Sequence, residues 1–339
     1  MCTGIRIMAE NGAVIYARTM EFGIETKSNI IVIPRNYTFT GTAPSKNFAG
    51  LHWKSKYAVI GANMLNIIGV IDGVNEKGLA GGLFYFPDFA QYQHVSEQEY
   101  SYSIASWELL TWILTNFSTV AEVKQHLPTI KVTNTVFSSW GIVPPIHAIV
   151  HDLFGESLVI EYVKGELHLH DNPIAVITNA PTFDWHVTNL SNYINLSPFN
   201  IEHLQLKGLT LSPLGQGSGL LGLPGDFTSP SRFVRATVFM QTVQDTNTEH
   251  EAINAAFHIL NLFDIPFGSV IEKNVDYQTY EITQWTSAVD LKNKRYFWHT
   301  HENRQIYAVD LMKMNLNGYM PLMIKMNSKQ TITDITPNQ

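Results

Sequence analysis

MCTGIRIMAENGAVIYARTMEF (residues 1–22) carries the strongest structural signal in the chain. Apolar and polar residues alternate on both sides of Asn11-Gly12, a dipeptide typical of two-residue hairpin loops. The pattern predicts two antiparallel strands at residues 3–8 and 13–18. The chain therefore begins inside a sheet.

A two-residue loop at Asn11-Gly12 also fixes which residues face each other. It places Cys2 opposite Glu21, and Ile5 opposite Arg18. A carboxylate is then expected beside the α-amine of Cys2, whereas Arg18 falls on the other face and reaches Cys2 only through a bulge. On spacing alone, Glu21 and Arg18 are equally well explained as ordinary exposed hairpin charges.

The rest of the chain reads as blocks of strands separated by blocks of helices. Strands are predicted at residues 29–34, 57–62, 79–86, within 146–170, and at 175–178, 280–289, 295–300 and 305–311. Helices are predicted at residues 102–117, 232–243 and 249–262. Another helix is predicted to begin at a capping box formed by Thr119 and Glu122 and to end before Pro128. This grouping of strands and helices into blocks favours an α+β fold, with antiparallel sheets and helices packed outside them. No linker divides the chain, so residues 1–339 are predicted to form one domain.

Composition narrows the function classes. The 339 residues are 45% hydrophobic and 15% charged, with a net charge of −7 and no basic stripe, so nucleic acid is not an expected partner. No apolar run is long enough for a membrane helix, and the N-terminus lacks the apolar core of a signal peptide. A single cysteine rules out an intrachain disulfide, which suits a reducing compartment and predicts a cytoplasmic location.

Cys2 is the candidate nucleophile because of its position. A lone cysteine is usually a buried hydrophobe, but initiator methionine is normally removed before a small second residue, which leaves Cys2 with a thiol and a free α-amine. An α-amine with a reference pKa of about 7.7–8.0 can take the thiol proton, so the nucleophile brings its own base. The 13 histidines form no HExxH or CxxC pattern, and neither a metal nor another cofactor is expected.

Six short motifs occur in order through nearly the whole chain. They are Met1-Cys2-Thr3, Ala17-Arg-Thr-Met-Glu21, Ile33-Pro-Arg-Asn-Tyr37, Gly73-Val-Asn-Glu-Lys-Gly-Leu79, Thr178-Asn-Ala-Pro181, and Gly222-Leu-Pro-Gly-Asp-Phe227 with Ser231-Arg-Phe-Val-Arg235. Together they resemble the choloylglycine hydrolase family, which comprises bile salt hydrolases and penicillin V acylases. The resemblance implies an N-terminal nucleophile (Ntn) hydrolase fold, an αββα four-layer sandwich of two antiparallel sheets between helical layers, assembled as a homotetramer.

The resemblance also implies roles for particular residues. Cys2 is the nucleophile that forms a thioester with the acyl group, and Arg18 and Arg232 are active-site arginines. Asn179 and the backbone amide of Tyr85 form the oxyanion hole, whose donors stabilise the negative charge on the carbonyl oxygen. The expected partner is a small acyl amide substrate.

Two positions separate the possible functions. Tyr85 stands where penicillin V acylases tend to have tyrosine and bile salt hydrolases asparagine, which favours the acylases and substrates such as penicillin V or acyl homoserine lactones. A bile salt hydrolase is the alternative with the same chemistry. Glu21 stands where the family pattern has aspartate, which leaves open a binding protein that kept the fold and lost efficiency.

Overall fold

The computed structural model describes residues 1–273, 278–326 and 329–337. Within these ranges the strands are β1 (Gly4–Met8), β2 (Val14–Phe22), β3 (Asn29–Ile33), β4 (Thr38–Thr42), β5 (Ala49–Lys54), β6 (Val59–Ala62), β7 (Asp72–Asn75), β8 (Ala80–Tyr85), β9 (Ser103–Ala105), β10 (Lys131–Thr133), β11 (Ile146–His151), β12 (Ser157–Val163), β13 (Glu166–Asp171), β14 (Val176–Ile177), β15 (Leu204–Leu206), β16 (Leu209–Leu211), β17 (Ile271–Lys273), β18 (Gln278–Tyr280), β19 (Ile282–Asp290), β20 (Arg295–Thr300), β21 (Tyr307–Asp310) and β22 (Leu322–Lys325). The α-helices are α1 (Leu109–Asn116), α2 (Val120–His126), α3 (Phe183–Asn189), α4 (Ser229–Thr242) and α5 (Glu249–Asn261).

Two large sheets dominate the fold. The six-stranded sheet has the order β14-β1-β2-β19-β20-β21, and the eight-stranded sheet has the order β13-β12-β11-β8-β7-β6-β3-β22. Every neighbouring pair in both sheets is antiparallel. Helix α1 packs on β7 and β8, and α5 packs on β1, β2 and β19. The prediction of antiparallel sheets with helices against them, an α+β fold, is confirmed.

The two sheets meet through a buried carboxylate. Asp72 on β7 is fully buried, and its Oδ2 accepts hydrogen bonds from the hydroxyls of Ser287 at 2.8 Å and Tyr296 at 2.6 Å. These two partners lie on β19 and β20 of the other sheet. Burial raises the pKa of Asp72, which the hydrogen bonds and the nearby Arg18 charge only partly offset. Polar contacts as well as apolar packing therefore set how the sheets lie against each other.

The register predicted for the first hairpin is wrong by one residue. The observed pairs include Gly4 with Arg18 and Ile5 with Ala17. The loop holds three residues, because the N–H of Gly12 donates to the carbonyl of Ala9 at 2.9 Å and Gly12 then adopts a φ of +77°. A turn followed by a left-handed glycine is the usual three-residue hairpin loop.

The shift changes which residues face Cys2. Thr19 N–H donates to the carbonyl of Thr3 at 2.9 Å, and Glu21 N–H donates to that of Met1 at 3.0 Å. Cys2 therefore lies opposite Met20, and Glu21 lies opposite Met1. Since directly opposed residues point to the same face, Arg18 shares the face of Cys2 without the predicted bulge.

The helix predicted at residues 102–117 is only half formed. Residues 103–105 form β9, which pairs in parallel with β10, and α1 begins at Leu109. Pairing with a distant strand thus overrides the local helical spacing. The cap predicted for the next helix is confirmed, since Thr119 accepts from the N–H of Glu122 at 3.2 Å. In the described ranges, no helix is long and apolar enough to cross a membrane.

Candidate active site

Cys2 lies immediately before β1 and is 3% exposed. Its backbone N–H donates to Oδ1 of Asn179 at 2.8 Å. Its Sγ accepts a hydrogen bond from Nη2 of Arg18 at 2.7 Å and lies 3.8 Å from Sδ of Met20. The one cysteine of the chain is therefore held at its main chain by an amide and at its sulfur by a guanidinium.

Arg18 on β2 is fully buried beneath Cys2. Its Nη1 donates to the carbonyl of Leu83 at 2.7 Å, and its Cζ lies 4.3 Å from the ring centroid of Phe84. Burial lowers the pKa of Arg18, but negative charge nearby, first that of Cys2, outweighs burial and holds the pKa above its usual range. The guanidinium thus lies between the Cys2 sulfur and the main chain of β8.

Asn179 follows β14 and connects Cys2 to β8. Its Oδ1 accepts from Cys2 N–H and from Nη2 of Arg232 at 2.7 Å, and its Nδ2 donates to the carbonyl of Tyr85 at 2.6 Å. Asn179 is 5% exposed. One Nδ2 proton remains for an oxyanion, since a side-chain amide carries two. The oxyanion role of Asn179 and of the Tyr85 amide stays a prediction.

Arg232 reaches the site from the first turns of α4 and is 1% exposed. Its guanidinium donates to the carbonyl of Cys2, to Oγ1 of Thr3 at 2.9 Å and to Oδ1 of Asn179. Burial lowers the pKa of Arg232, and the charges of Glu21 and Cys2 act in the opposite direction. Arg232 thereby ties the main chain of Cys2 to the side chains of Thr3 and Asn179.

Glu21 is fully buried, but it does not lie beside Cys2 in the hairpin ladder. Its Oε1 accepts from Oγ1 of Thr283 at 3.4 Å, and Oε2 has no hydrogen-bond partner among the described residues. Burial raises the pKa of Glu21, and the charges of Arg232 and the N-terminus offset only part of the rise. A buried carboxylate oxygen left free near the N-terminus is suited to hold an amine.

We expect Glu21→Ala to lower kcat/KM by about tenfold or more, because the carboxylate would no longer orient the α-amine of Cys2. Glu21→Asp, which restores the residue of the family pattern, should keep or raise activity. Since the pKa of Glu21 is raised, activity of the native chain should fall on acidification earlier than an ordinary glutamate would allow. Specificity constants measured from pH 5 to 8 check this, with Glu10→Ala on the exposed hairpin loop as control. An alanine variant with unchanged turnover throughout that range would leave Glu21 with a purely structural role.

Two connected cavities open at the site. A narrow apolar cavity of about 60 Å³ ends at Cys2. Its wall is largely aromatic and sulfur-containing and includes Met20, Phe22, Phe84, Tyr85, Trp107, Phe137 and Trp140. Three of these residues also line an open groove of about 790 Å³, together with Asn179, Arg232, Glu272 and Glu281. The narrow cavity suits an apolar acyl group, and the groove suits the amine half of an amide.

Several supporting residues were missed by the sequence analysis. The carbonyl of Asn179 accepts from Nε2 of His186 at 2.9 Å, and its N–H donates to Oγ of Ser229 at 2.9 Å. Nε2 of His147 lies 3.1 Å from the carbonyl of Thr178. No local pattern marks these residues: His147 and Ser229 meet the turn from distant parts of the chain, and His186 meets it from α3, seven residues after Asn179. Among the described residues, no group of three or more His, Cys, Asp or Glu side chains is arranged to hold a metal ion.

Comparisons with known proteins agree with the geometry. The family model for linear amide C–N hydrolases, choloylglycine hydrolase family, matches residues 2–333. The bile salt hydrolase/transferase of Clostridium perfringens strain 13 is 34% identical over 339 residues, covering 99% of this chain and 100% of the relative. The penicillin V acylase of Pectobacterium atrosepticum is 27% identical, covering 89% of this chain and 78% of the relative.

A solved structure is also similar over its full length. The C2A mutant of the conjugated bile acid hydrolase from Clostridium perfringens has a TM-score of 0.87 and 34% identity, covering 99% of this chain and 100% of that one. Fold and site together define an enzyme that hydrolyses linear carbon–nitrogen amide bonds. The chain belongs to the choloylglycine hydrolase family.

Proposed function

We propose that the chain is a cysteine amidase, active after loss of Met1, that cleaves amides of compact aryl or alkyl acids in the manner of a penicillin V acylase. The observation that carries this proposal is the narrow apolar cavity that ends at Cys2. Its wall is almost wholly apolar and includes the ring of Tyr85, which favours a compact acyl group over a bulky one.

The proposed reaction is acyl transfer in two steps. The α-amine of Cys2 takes the thiol proton, and the sulfur attacks the carbonyl carbon of the substrate. Asn179 and the amide of Tyr85 stabilise the oxyanion while the carbon–nitrogen bond breaks and the proton passes to the leaving amine. Water then attacks the thioester, with the same amine as base, and releases the acid and the free thiol.

The identities favour the alternative substrate class. The bile salt hydrolase named above is more similar to this chain than the penicillin V acylase, at 34% against 27% identity. Identity over the whole chain does not measure the few side chains of the acyl cavity, which decide the substrate. A conjugated bile salt hydrolase therefore stands as the second candidate, and a binding protein weakened by Glu21 as the third.

Side-by-side hydrolysis of penicillin V and glycocholate tests the substrate class. We expect kcat/KM to be higher for penicillin V by about tenfold or more, because the ring of Tyr85 narrows the acyl cavity. Tyr85→Asn, the residue expected in bile salt hydrolases, should move the ratio towards glycocholate, whereas Tyr319→Asn at a 98% exposed position should not. A native preference for glycocholate would establish the second candidate, and no turnover of either amide with retained binding would establish the third.

We also propose a homotetramer, the four-layer order of helices and sheets, and a cytoplasmic location, as the resemblance and composition imply. The ribbon of β15 and β16 supports assembly, since four of its leucines are about half exposed. The pairs Leu204 with Leu211 and Leu206 with Leu209 share one face of this ribbon. An apolar face of this kind is typical of contacts between subunits. The packing of α1 and α5 against different sheets supports the layer order.

A further inference from the structure

Behind the turn that carries Asn179 lies a buried pair of titratable side chains, His147 on β11 and Glu161 on β12. His147 is 2% exposed and Glu161 is fully buried. Nδ1 of His147 lies 3.2 Å from Oε1 of Glu161, and Nε2 lies 3.1 Å from the carbonyl oxygen of Thr178. The imidazole thus connects a buried carboxyl group to the residue that precedes Asn179.

The partners of His147 fix how its ring is oriented. A carbonyl oxygen can only accept, so Nε2 donates to Thr178. Burial would raise the pKa of Glu161, but its interactions with His147 and His170 lower it to about 2, so the side chain that faces Nδ1 is a carboxylate. The main-chain N–H of Phe183 also donates to Oε1, at 3.0 Å. The ring is thereby held between β12 and the turn after β14.

Other titratable and charged groups surround the pair. His170 on β13 has its Nε2 3.5 Å from Oε2 of Glu161, which raises the pKa of His170. His186 on α3 donates to the Asn179 carbonyl, and burial lowers its pKa to about 4, so it is neutral near pH 7. Arg232 on α4 also contacts Asn179. Glu161 is the one carboxylate among these groups.

We propose that His147 and Glu161 are positioning residues for the oxyanion hole. The imidazole ring, held by the carboxylate of Glu161, binds the Thr178 carbonyl and keeps the adjoining Asn179 amide at Cys2. This inference rests on the proposed amidase function. When either contact of the ring is removed, Asn179 is held less firmly. The step that forms the oxyanion then slows, while substrate binding in the cavity is unaffected.

Steady-state kinetics on an amide that the native chain hydrolyses test the proposal. His147→Leu removes the donor for Thr178 and should lower kcat by about tenfold, with KM changed less than about twofold. His147→Gln keeps a donor for Thr178 and should retain most of kcat. Glu161→Ala removes the group that orients the ring and should lower kcat as His147→Leu does. His299→Gln, at a buried histidine whose ring packs on Phe257, is the matched control and should keep the native kcat.

A spectroscopic measurement separates this inference from the proposed function. In the chain carrying Cys2→Ala, the ¹⁵N shift of the Asn179 side-chain amide should change in His147→Leu and in Glu161→Ala but not in His299→Gln. An amide signal and a kcat that neither of the first two substitutions changes would overturn the positioning role. A native chain that hydrolyses no acyl amide would instead overturn the proposed function, and the amide signal would still decide whether the pair positions Asn179.

Discussion

Replacing Cys2 with alanine is expected to lower the turnover of every acyl amide by about 10⁴-fold or more, because the chain has no other thiol to form the thioester. The fold should survive. The substitution removes only a sulfur atom, and Arg18 keeps its hydrogen bond to the carbonyl of Leu83. A change in unfolding free energy of about 1 kcal/mol is expected from the lost contact with Met20. Turnover and urea unfolding of the same preparation measure the two effects separately.

Cys2→Ser provides the matched control for this prediction. It keeps a hydrogen-bonding group at the same place but supplies a hydroxyl, which is far harder to deprotonate than a thiol. Its turnover should also fall by orders of magnitude. An alanine variant that still hydrolyses the substrate, with its mass confirmed, would remove Cys2 as the nucleophile.

A chain that keeps Met1 is expected to be inactive, with turnover at least about 10³-fold below that of the processed chain. With Met1 in place, the nitrogen of Cys2 is an amide that donates to Asn179 and has no basic lone pair. The α-amine instead belongs to Met1, where it donates to the carbonyl of Glu21 at 2.7 Å and lies 3.4 Å from Oε2 of Glu281. Met1 also lines the groove that we assign to the leaving amine.

The experiment compares one protein before and after release of the N-terminus. The chain is made with a leader that a specific protease removes directly before Cys2, and activity is followed together with intact mass. Activity should appear in proportion to the cleaved fraction. The cleaved Cys2→Ala chain is the control, and it should stay inactive. Full turnover by a preparation whose mass retains the leader or Met1 would refute the α-amine as base.

The first hairpin shows how far the sequence predicts the fold. Alternation around Asn11-Gly12 predicts both strands, and the block order predicts antiparallel sheets. The register was wrong because Asn-Gly fits a two-residue loop and also the end of a three-residue loop, and contacts outside the hairpin help to choose between them. One such contact is the N–H of Asn11, which donates to the carbonyl of Asn247 at 3.2 Å. Local sequence cannot contain that information.

The sequence likewise identified some residues of the candidate site and missed others. Cys2 could be singled out from its position and chemistry, whereas Arg18, Asn179 and Arg232 were placed through the resemblance to a family. Neither sequence position nor the family resemblance pointed to His147 or Glu161. Their side chains contact Thr178 and each other only because the fold brings β11, β12 and the turn after β14 together. That proximity depends on the order of strands in the sheets. Such supporting polar residues are the part of a site that sequence spacing predicts least.

The outer loop of the first hairpin places an unusual limit on insertions and deletions. Residues 10–12 are exposed, and loops of this kind normally accept changes of length. If a strand and not the loop took up an added or removed residue, β1 would slide along β2 by one position and exchange the two faces of the strand. Arg18 would then turn away from Cys2, although no residue of the site had been altered. A change of length here is therefore tolerated only when the loop itself absorbs it and the pairing of Gly4 with Arg18 is kept.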